Sequence, residues 1–258
     1  MVVTAINNTG DPIQPATAKN VISVCSVTPT YDIGYGVPDP GSDAAKHFRI
    51  AAVGNNRTIY FNGTNISVSG TSYATPVVAG TIALMMEKNP NLKGNPALVM
   101  TALGLGANQS LVNHDSSDTF NYHSGLWTWS GVGALDIAQS VWLAGCISSS
   151  PSENLNSNET RLIYTISNAT AGHHLYLCHA HLRKVTFNSS NQSYTSYNPS
   201  VINLLVYGPD GAVVGRTYSD NAYVERLTIT YPTNGTYKVY RQAGTVNTNY
   251  YGLCAVRT

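Results

Sequence analysis

The residues best placed to do chemistry lie in one run, Gly70-Thr71-Ser72-Tyr73-Ala74-Thr75-Pro76-Val77-Val78-Ala79-Gly80. It sets a serine where a glycine-containing loop turns into a long apolar helix. The hydroxyl then sits at the positive end of the helix dipole, beside backbone N–H groups with no acceptor inside the helix. Such donors hold the anion that forms when a hydroxyl attacks a carbonyl. Thr71, Ala74, Ala79 and Gly80 are small enough to let other elements approach closely. Pro76 is expected in the first helical turn, where its missing N–H costs nothing. A serine in such a place is also an ordinary helix cap, so the run is weighed with the elements around it.

Those elements read as an alternation of strands and helices. Met1-Val2-Val3-Thr4-Ala5-Ile6, Val21 to Val27 and Ile50-Ala51-Ala52-Val53 are short β-branched or small-residue runs. The valine density of the second suits a strand buried on both faces, as in a parallel sheet covered by helices. Tyr31 to Asp43 is rich in Gly, Pro and Asp and predicts a loop. Thr71 to Lys88 is apolar almost all round, which places that helix in a domain centre. Asn89-Pro90 ends it, and Asn95-Pro96 starts another through Leu103, with Asn as cap and Pro in the first position. A third helix is expected from Ala134 to Ala144. After Cys146 the composition turns Ser/Asn-rich to about Thr160 and then becomes short strands separated by turn formers such as Gly208-Pro209-Asp210-Gly211 and Pro232-Thr233-Asn234-Gly235.

Composition narrows the function classes. Of 258 residues, 10% are charged, and 14 Lys+Arg nearly balance 13 Asp+Glu for a net charge of +1, which lacks the basic footprint of a nucleic-acid binder. The longest apolar run, Val77 to Met86, is too short to span a bilayer. Cys25, Cys146, Cys178 and Cys254 have no CxxC spacing, which argues against zinc and thioredoxin chemistry. Sequons recur at Asn56, Asn62, Asn65, Asn108, Asn158, Asn168, Asn188, Asn191 and Asn234. They fit an extracellular or secretory, vesicular lumen, although no charged leader precedes Met1.

The Ser72 run resembles the G-T-S-x-A-[ST]-P-x-V-A-G signature around the nucleophile of subtilisin-like serine proteases, the subtilases. Gly70, Thr71, Ala74 and Pro76 carry that match beside the serine. Val2-Val3-Thr4-Ala5-Ile6-Asn7-Asn8-Thr9-Gly10 is similar to the family's V-V-x-A-A-G-N-x-G strand and loop, which implies that Asn8 supplies a side-chain amide to the oxyanion hole. Asn7 stands where the family has Gly, on the wall of a substrate pocket, and Asn tolerates the positive φ such a site can demand. Pro15 to Val24 is similar to P-A-x-A-x-x-V-I-x-V-G-A, and Trp129 to Ala138 resembles Y-G-x-G-x-V-x-A-x-x-A. The likeness therefore runs from about Val2 to Ala144. It implies the C-terminal half of a subtilase catalytic domain, acting on protein or peptide substrates without a cofactor.

A serine nucleophile needs a base, and the base needs an orienting group. The family places both upstream of the serine. The sole upstream histidine is His47, in Lys46-His47-Phe48-Arg49-Ile50, without the H-G-[ST] context, and it reads as a surface residue; Asp11 matches no D-[ST]-G strand. The expectation is a polypeptide without normal peptidase activity on its own, either a fragment of an active protease or a natural half-protein. Its partner would be the missing N-terminal half of the domain.

The remaining candidates lie C-terminal. His173, His174, His179 and His181 cluster near Cys178, and His179 and His181 share a strand face, yet no third ligand has metal-site spacing and no metal is expected. Cys178 and Cys254 are the candidate disulfide; Cys25 and Cys146 read as a bridge or two free thiols. The C-terminal strands resemble the P-domain or pre-peptidase C-terminal modules appended to secreted subtilases. Such a module stabilises the catalytic domain or binds a glycan or protein, with Tyr194, Tyr197, Tyr250 and Tyr251 as candidate contacts. A non-catalytic binding protein built on those strands is the rival reading. The predicted architecture is α/β: a partial subtilisin-like domain with a parallel sheet and a central buried helix at 1–145, a linker at 146–160, and an all-β sandwich at 161–258.

Overall fold

The computed structural model describes residues 1–8, 16, 20–34, 48–113, 120–121, 126–127, 130–147, 156–182, 185–196, 201–218, 224–246 and 251–257. Strands β1 (Val2–Ala5), β2 (Val21–Val27) and β3 (Arg49–Val53) form a parallel sheet in that order. Every residue of β2 is buried. Its alternate side chains feed two cores: Ile22 and Val24 enter the cluster shared with the helices, while Cys25 and Val27 join Ile6, Ala16 and Val112 on the other face. Burial on both faces is why the strand reads as continuous valine and isoleucine; each large side chain so buried contributes about 1.5–3 kcal/mol.

After β3 the chain makes an antiparallel hairpin, β4 (Arg57–Phe61) and β5 (Thr64–Val68), closed by Asn62-Gly63 with φ of 48° and 81°. It then enters α1 (Thr71–Lys88), which packs on β1, β2, β3 and a later helix, α3 (Ile137–Cys146). Between them runs α2 (Pro96–Gly106), capped as expected by Asn95, whose side chain accepts the Leu98 N–H. Two short strands, β6 (Phe120–Asn121) and β7 (Leu126–Trp127), pair between α2 and α3.

Three expectations are corrected here. The α1 helix is not buried all round: Thr71, Ala74, Val78, Thr81, Ile82 and Met85 form one buried stripe, whereas Tyr73 and Leu84 are 37% and 48% exposed. Sheet and α3 cover that stripe alone, so an apolar opposite face meets solvent. Pro76 lies at the sixth helical position rather than in the first turn. There it removes the N–H that would reach the Ser72 carbonyl. The third helix starts at Ile137, with Asp136 as its N-cap, because residues 131–135 run alongside β3 and hydrogen-bond to it. Val132 donates to the Arg49 carbonyl at 3.0 Å and Leu135 to that of Ala51 at 2.7 Å. Gly131 has φ +60°, and a Cβ there would lie 2.4 Å from the Arg49 carbonyl oxygen, so this close pairing admits only glycine.

The C-terminal strands form two antiparallel sheets. One has the order β13 (Val213–Arg216), β12 (Ile202–Tyr207), β15 (Gly235–Ala243), β8 (Thr160–Ala169); the other β14 (Val224–Thr230), β9 (His174–His181), β16 (Tyr251–Arg257). A hairpin of β10 (Val185–Asn188) and β11 (Ser193–Ser196) projects separately. Leu175 and Leu177 of β9 and Ile229 of β14 share a buried cluster with Leu204, Val206, Tyr237 and Val239 of the larger sheet. The opposite side of β9, with Cys178 and Ala180, joins the cluster of α1, α2 and the parallel sheet. The smaller sheet is thus a middle layer covered on both faces. Residues 148–155 of the expected linker lie outside the described residues.

Candidate active site

Ser72 is the second residue of α1 and is exposed. Its N–H therefore belongs to the first turn, where no carbonyl lies four residues back within the helix. The preceding loop is pinned by two backbone bonds, from the Gly70 N–H to the Gly54 carbonyl at 3.1 Å and from the Tyr73 N–H to the Gly70 carbonyl at 3.0 Å. Gly70 has φ +146°, a conformation side chains rarely adopt, and a Cβ there would press on the Asn8 amide at 3.0 Å. A Cβ on Gly54 would lie 2.8 Å from the Ala74 Cβ, so the loop and the first turn approach through small residues.

Asn8 lies beyond the end of β1, and its side chain is fixed by Thr71. Its Oδ1 accepts the Thr71 N–H at 2.8 Å and faces the Thr71 hydroxyl at 2.9 Å. A backbone N–H can only donate, so the atom opposite it must be the carbonyl oxygen of the amide. The Nδ2 group, with two protons, is then turned away from Thr71. Asn7 is half-buried; its Oδ1 accepts the Asn8 N–H at 2.7 Å, and its backbone is not among those with positive φ. The asparagine at this position is therefore not accommodated by a left-handed conformation.

Ser72, Asn8, Gly70, Thr71 and Ala74 thus converge on one end of α1 although Asn8 and Thr71 are 63 residues apart in sequence. Thr71 was expected only as a small residue; its role as anchor of Asn8 has no local signal, since it depends on a partner far along the chain. The hairpin leading to the site had one in Asn62-Gly63, a two-residue turn suited to positive φ at both positions. His47 and Asp11 lie outside the described residues.

The C-terminal candidates are placed elsewhere. His179 and His181 are buried on one face of β9 with ring centroids 5.6 Å apart. Burial, with Arg241 and His181 nearby, holds the His179 pKa well below the usual histidine range. His174 is half-buried against the Thr230 hydroxyl at 3.0 Å, and His173 is exposed. Among the described residues no three His, Cys, Asp or Glu side chains are grouped to hold a metal. The register sets Cys254 opposite Cys178, but Cys178 is a free thiol, which corrects the expected bridge. A Cβ on Gly104 would lie 2.8 Å from its sulfur, so the side chain is directed at α2, and burial pushes its pKa up to about 12. Cys146 is also a free thiol, and the Cys25 Sγ donates to the Ile50 carbonyl at 3.5 Å. Tyr194 is 73% exposed on β11 beside Phe187; Tyr197 and Tyr250 lie outside the described residues, as does the side chain of Tyr251.

A loop-to-helix serine, an amide fixed by the neighbouring threonine and a parallel sheet thus stand together in the part of the chain, residues 2–110, that matches the model of the Subtilase family. No curated protein sequence matches the chain. Among solved structures, the prenylagaramide maturation protease PagA is 23% identical over 55% of this chain and 50% of its own, with a TM-score of 0.42. The patellamide maturation protease PatA is 23% identical over 54% and 49%, with a TM-score of 0.42. A serine protease of Aeromonas sobria is 12% identical over 92% and 55%, with a TM-score of 0.35. The chain spans about half the length of these structures.

Proposed function

We propose that this chain carries the nucleophile and oxyanion half of a subtilisin-type serine endopeptidase acting on protein or peptide substrates. Ser72 Oγ attacks the scissile carbonyl, and the Asn8 Nδ2 with the Ser72 N–H holds the resulting oxyanion. The observation that carries this reading is the orientation of Asn8: its oxygen is occupied by Thr71, so its N–H bonds are what it offers to a ligand. The proton of Ser72 passes to a histidine, itself oriented by an aspartate, on a polypeptide bearing the D-[ST]-G and H-G-[ST] motifs that this sequence lacks. Alone, the chain does not turn over peptides.

Two surfaces favour a completing segment. Among the described residues β1 is an edge strand of a parallel sheet, with Val2 50% exposed, and the uncovered face of α1 begins at Tyr73, next to Ser72. Parallel sheets are ordinarily covered, so both surfaces suit an added strand and helix. On this reading, 1–145 is the partial catalytic domain, 146–160 a linker and 161–258 a β-sandwich module of an extracellular or secretory protein.

A fluorophosphonate probe tests the reading. The purified chain is expected to stay unlabelled, and to be labelled at Ser72 once assembled with a subtilase segment carrying the aspartate and histidine. Labelling of the chain alone at the rate of a complete protease would overturn its inactivity. Labelling that survives Ser72→Ala in the assembly would overturn the assignment of the nucleophile.

A further inference from the structure

Arg226 of β14 reaches out of the C-terminal sheet and into the site-bearing part of the molecule. Its Nη1 donates to the carbonyls of Gly104 at 3.1 Å, Ala107 at 2.8 Å and Val132 at 3.1 Å. Two of these lie at the C-terminal end of α2, where the last carbonyls have no intrahelical donor and the dipole is negative. The third belongs to the segment 131–135, which is hydrogen-bonded to β3 through Arg49 and Ala51 and to Asn108 through Ala134. One cation therefore ties together the end of a helix, the segment beside β3 and, from across the interface, its own sheet.

The packing around it is equally continuous. Cys178, Ala180 and Val224 lie in the same buried cluster as Phe48, Leu98, Leu103 and Val132. Gly104 leaves the gap that the Cys178 sulfur fills, with Phe48 and Val132 at ordinary contact beyond. On β14 and β9, alternate residues separate cleanly: Val224 and Arg226 with Cys178 and Ala180 turn to α2, while Ile229 with Leu175 and Leu177 turn to the larger sheet.

We infer that the sheet of β14, β9 and β16 is an integral layer of the nucleophile-bearing fold, latched by Arg226, so that the subtilase segment and the C-terminal strands open as one cooperative unit. The composition change near residue 150 marks a change of architecture, not a boundary of stability. Without the latch, three carbonyls would lose the donor they share, and both sides of the interface would lose protection together.

Hydrogen exchange of the full chain in graded denaturant, read by mass spectrometry, tests this independently of activity. In the wild type, peptides covering 104–107 and 131–135 are expected to open at the same denaturant concentration as those covering β9 and β14. Arg226→Met is expected to speed exchange in both sets together by about tenfold or more, and Arg226→Lys, which keeps a cation, by less. Non-coincident opening in the wild type would overturn the inference. So would an Arg226→Met chain in which only the C-terminal strands lose protection. Should that variant not fold, wild-type coincidence and the lysine variant decide the matter.

Discussion

At the scale of single residues, the proposed mechanism depends on Asn8 being held by its oxygen, as Thr71 holds it, and presented by its nitrogen. In the assembled protease, Asn8→Ala is expected to lower kcat by about 100- to 1000-fold with little change in KM, the magnitude known for such a donor in subtilisin itself. Thr71→Val removes the hydroxyl that faces Asn8 Oδ1 but keeps the backbone bond, so its loss in kcat should be smaller and Thr71→Ser should restore it. Equal loss for both variants would show that Thr71 does more than aim the amide. His179 makes a different prediction. The folded protein keeps it neutral because burial, Arg241 and His181 all oppose its protonation. The unfolded chain takes up that proton below about pH 6.5, so its contribution to stability is complete above that pH and declines as the pH falls. The slope attributable to this one group approaches 1.4 kcal/mol per pH unit. Denaturant unfolding between pH 7 and pH 5 measures it, and His179→Gln is expected to flatten the profile.

At the scale of elements, α2 is the piece most tightly held. All residues of α2 from Ala97 to Gly106 are buried, because the helix lies against α3 and the sheet of β14, β9 and β16 at once. Two glycines make room for that crowding, Gly106 against Ser140 of α3 and Gly104 against Cys178 of β9. Gly104 is the more telling of the two. Adding a methyl there presses on the Cys178 sulfur, so Gly104→Ala should destabilise the chain by about 1–3 kcal/mol in thermal or denaturant unfolding. Gly104→Ala combined with Cys178→Ala should recover much of that loss, since the second change empties the space the first one fills. The α1 helix is the contrary case. Its composition calls for burial all round, yet Tyr73 and Leu84 meet solvent; propensity and hydrophobicity specify that α1 is a helix, and only its neighbours specify how much of it is covered.

At the scale of the whole molecule, the free thiols report how the layers separate. Cys146, exposed at the end of α3, is expected to react with iodoacetamide at once. Cys178, sealed between α2 and β9 with its pKa raised to about 12, should react only as fast as the layers part. Mass spectrometry of the alkylated peptides in rising denaturant gives both rates, and prompt native labelling of Cys178 would show the middle layer to be open. The asparagine sequons occupy the outside of the same structure: eight of the nine named above are exposed, and Asn108, bonded into the turn after α2, is half-buried.

Much of the architecture was legible before any coordinates, and the reason is range. The buried β2 announces itself in seven residues, the Asn95-Pro96 cap in two, and the loop-to-helix serine in eleven, because each is set by neighbours a few positions away. The Asn62-Gly63 hairpin carried a signal of the same kind. The start of α3 was misplaced because residues 131–135, apolar and small, serve equally well as helix or strand until β3 claims them through its backbone. The Cys178–Cys254 bridge is suggested because the two residues do stand opposite each other in register; Cys178 is nonetheless a free thiol whose sulfur seats against Gly104 of α2. By itself, then, the sequence determined the loop-to-helix signature around Ser72 and the kinds of element that carry it. Tertiary structure alone decided that Thr71 aims Asn8 across 63 residues, that α1 keeps an open face, and that Arg226 closes on carbonyls 94 to 122 residues earlier. Contacts of that span leave no local trace, because their energy exists only once loop closure and packing have brought the partners together.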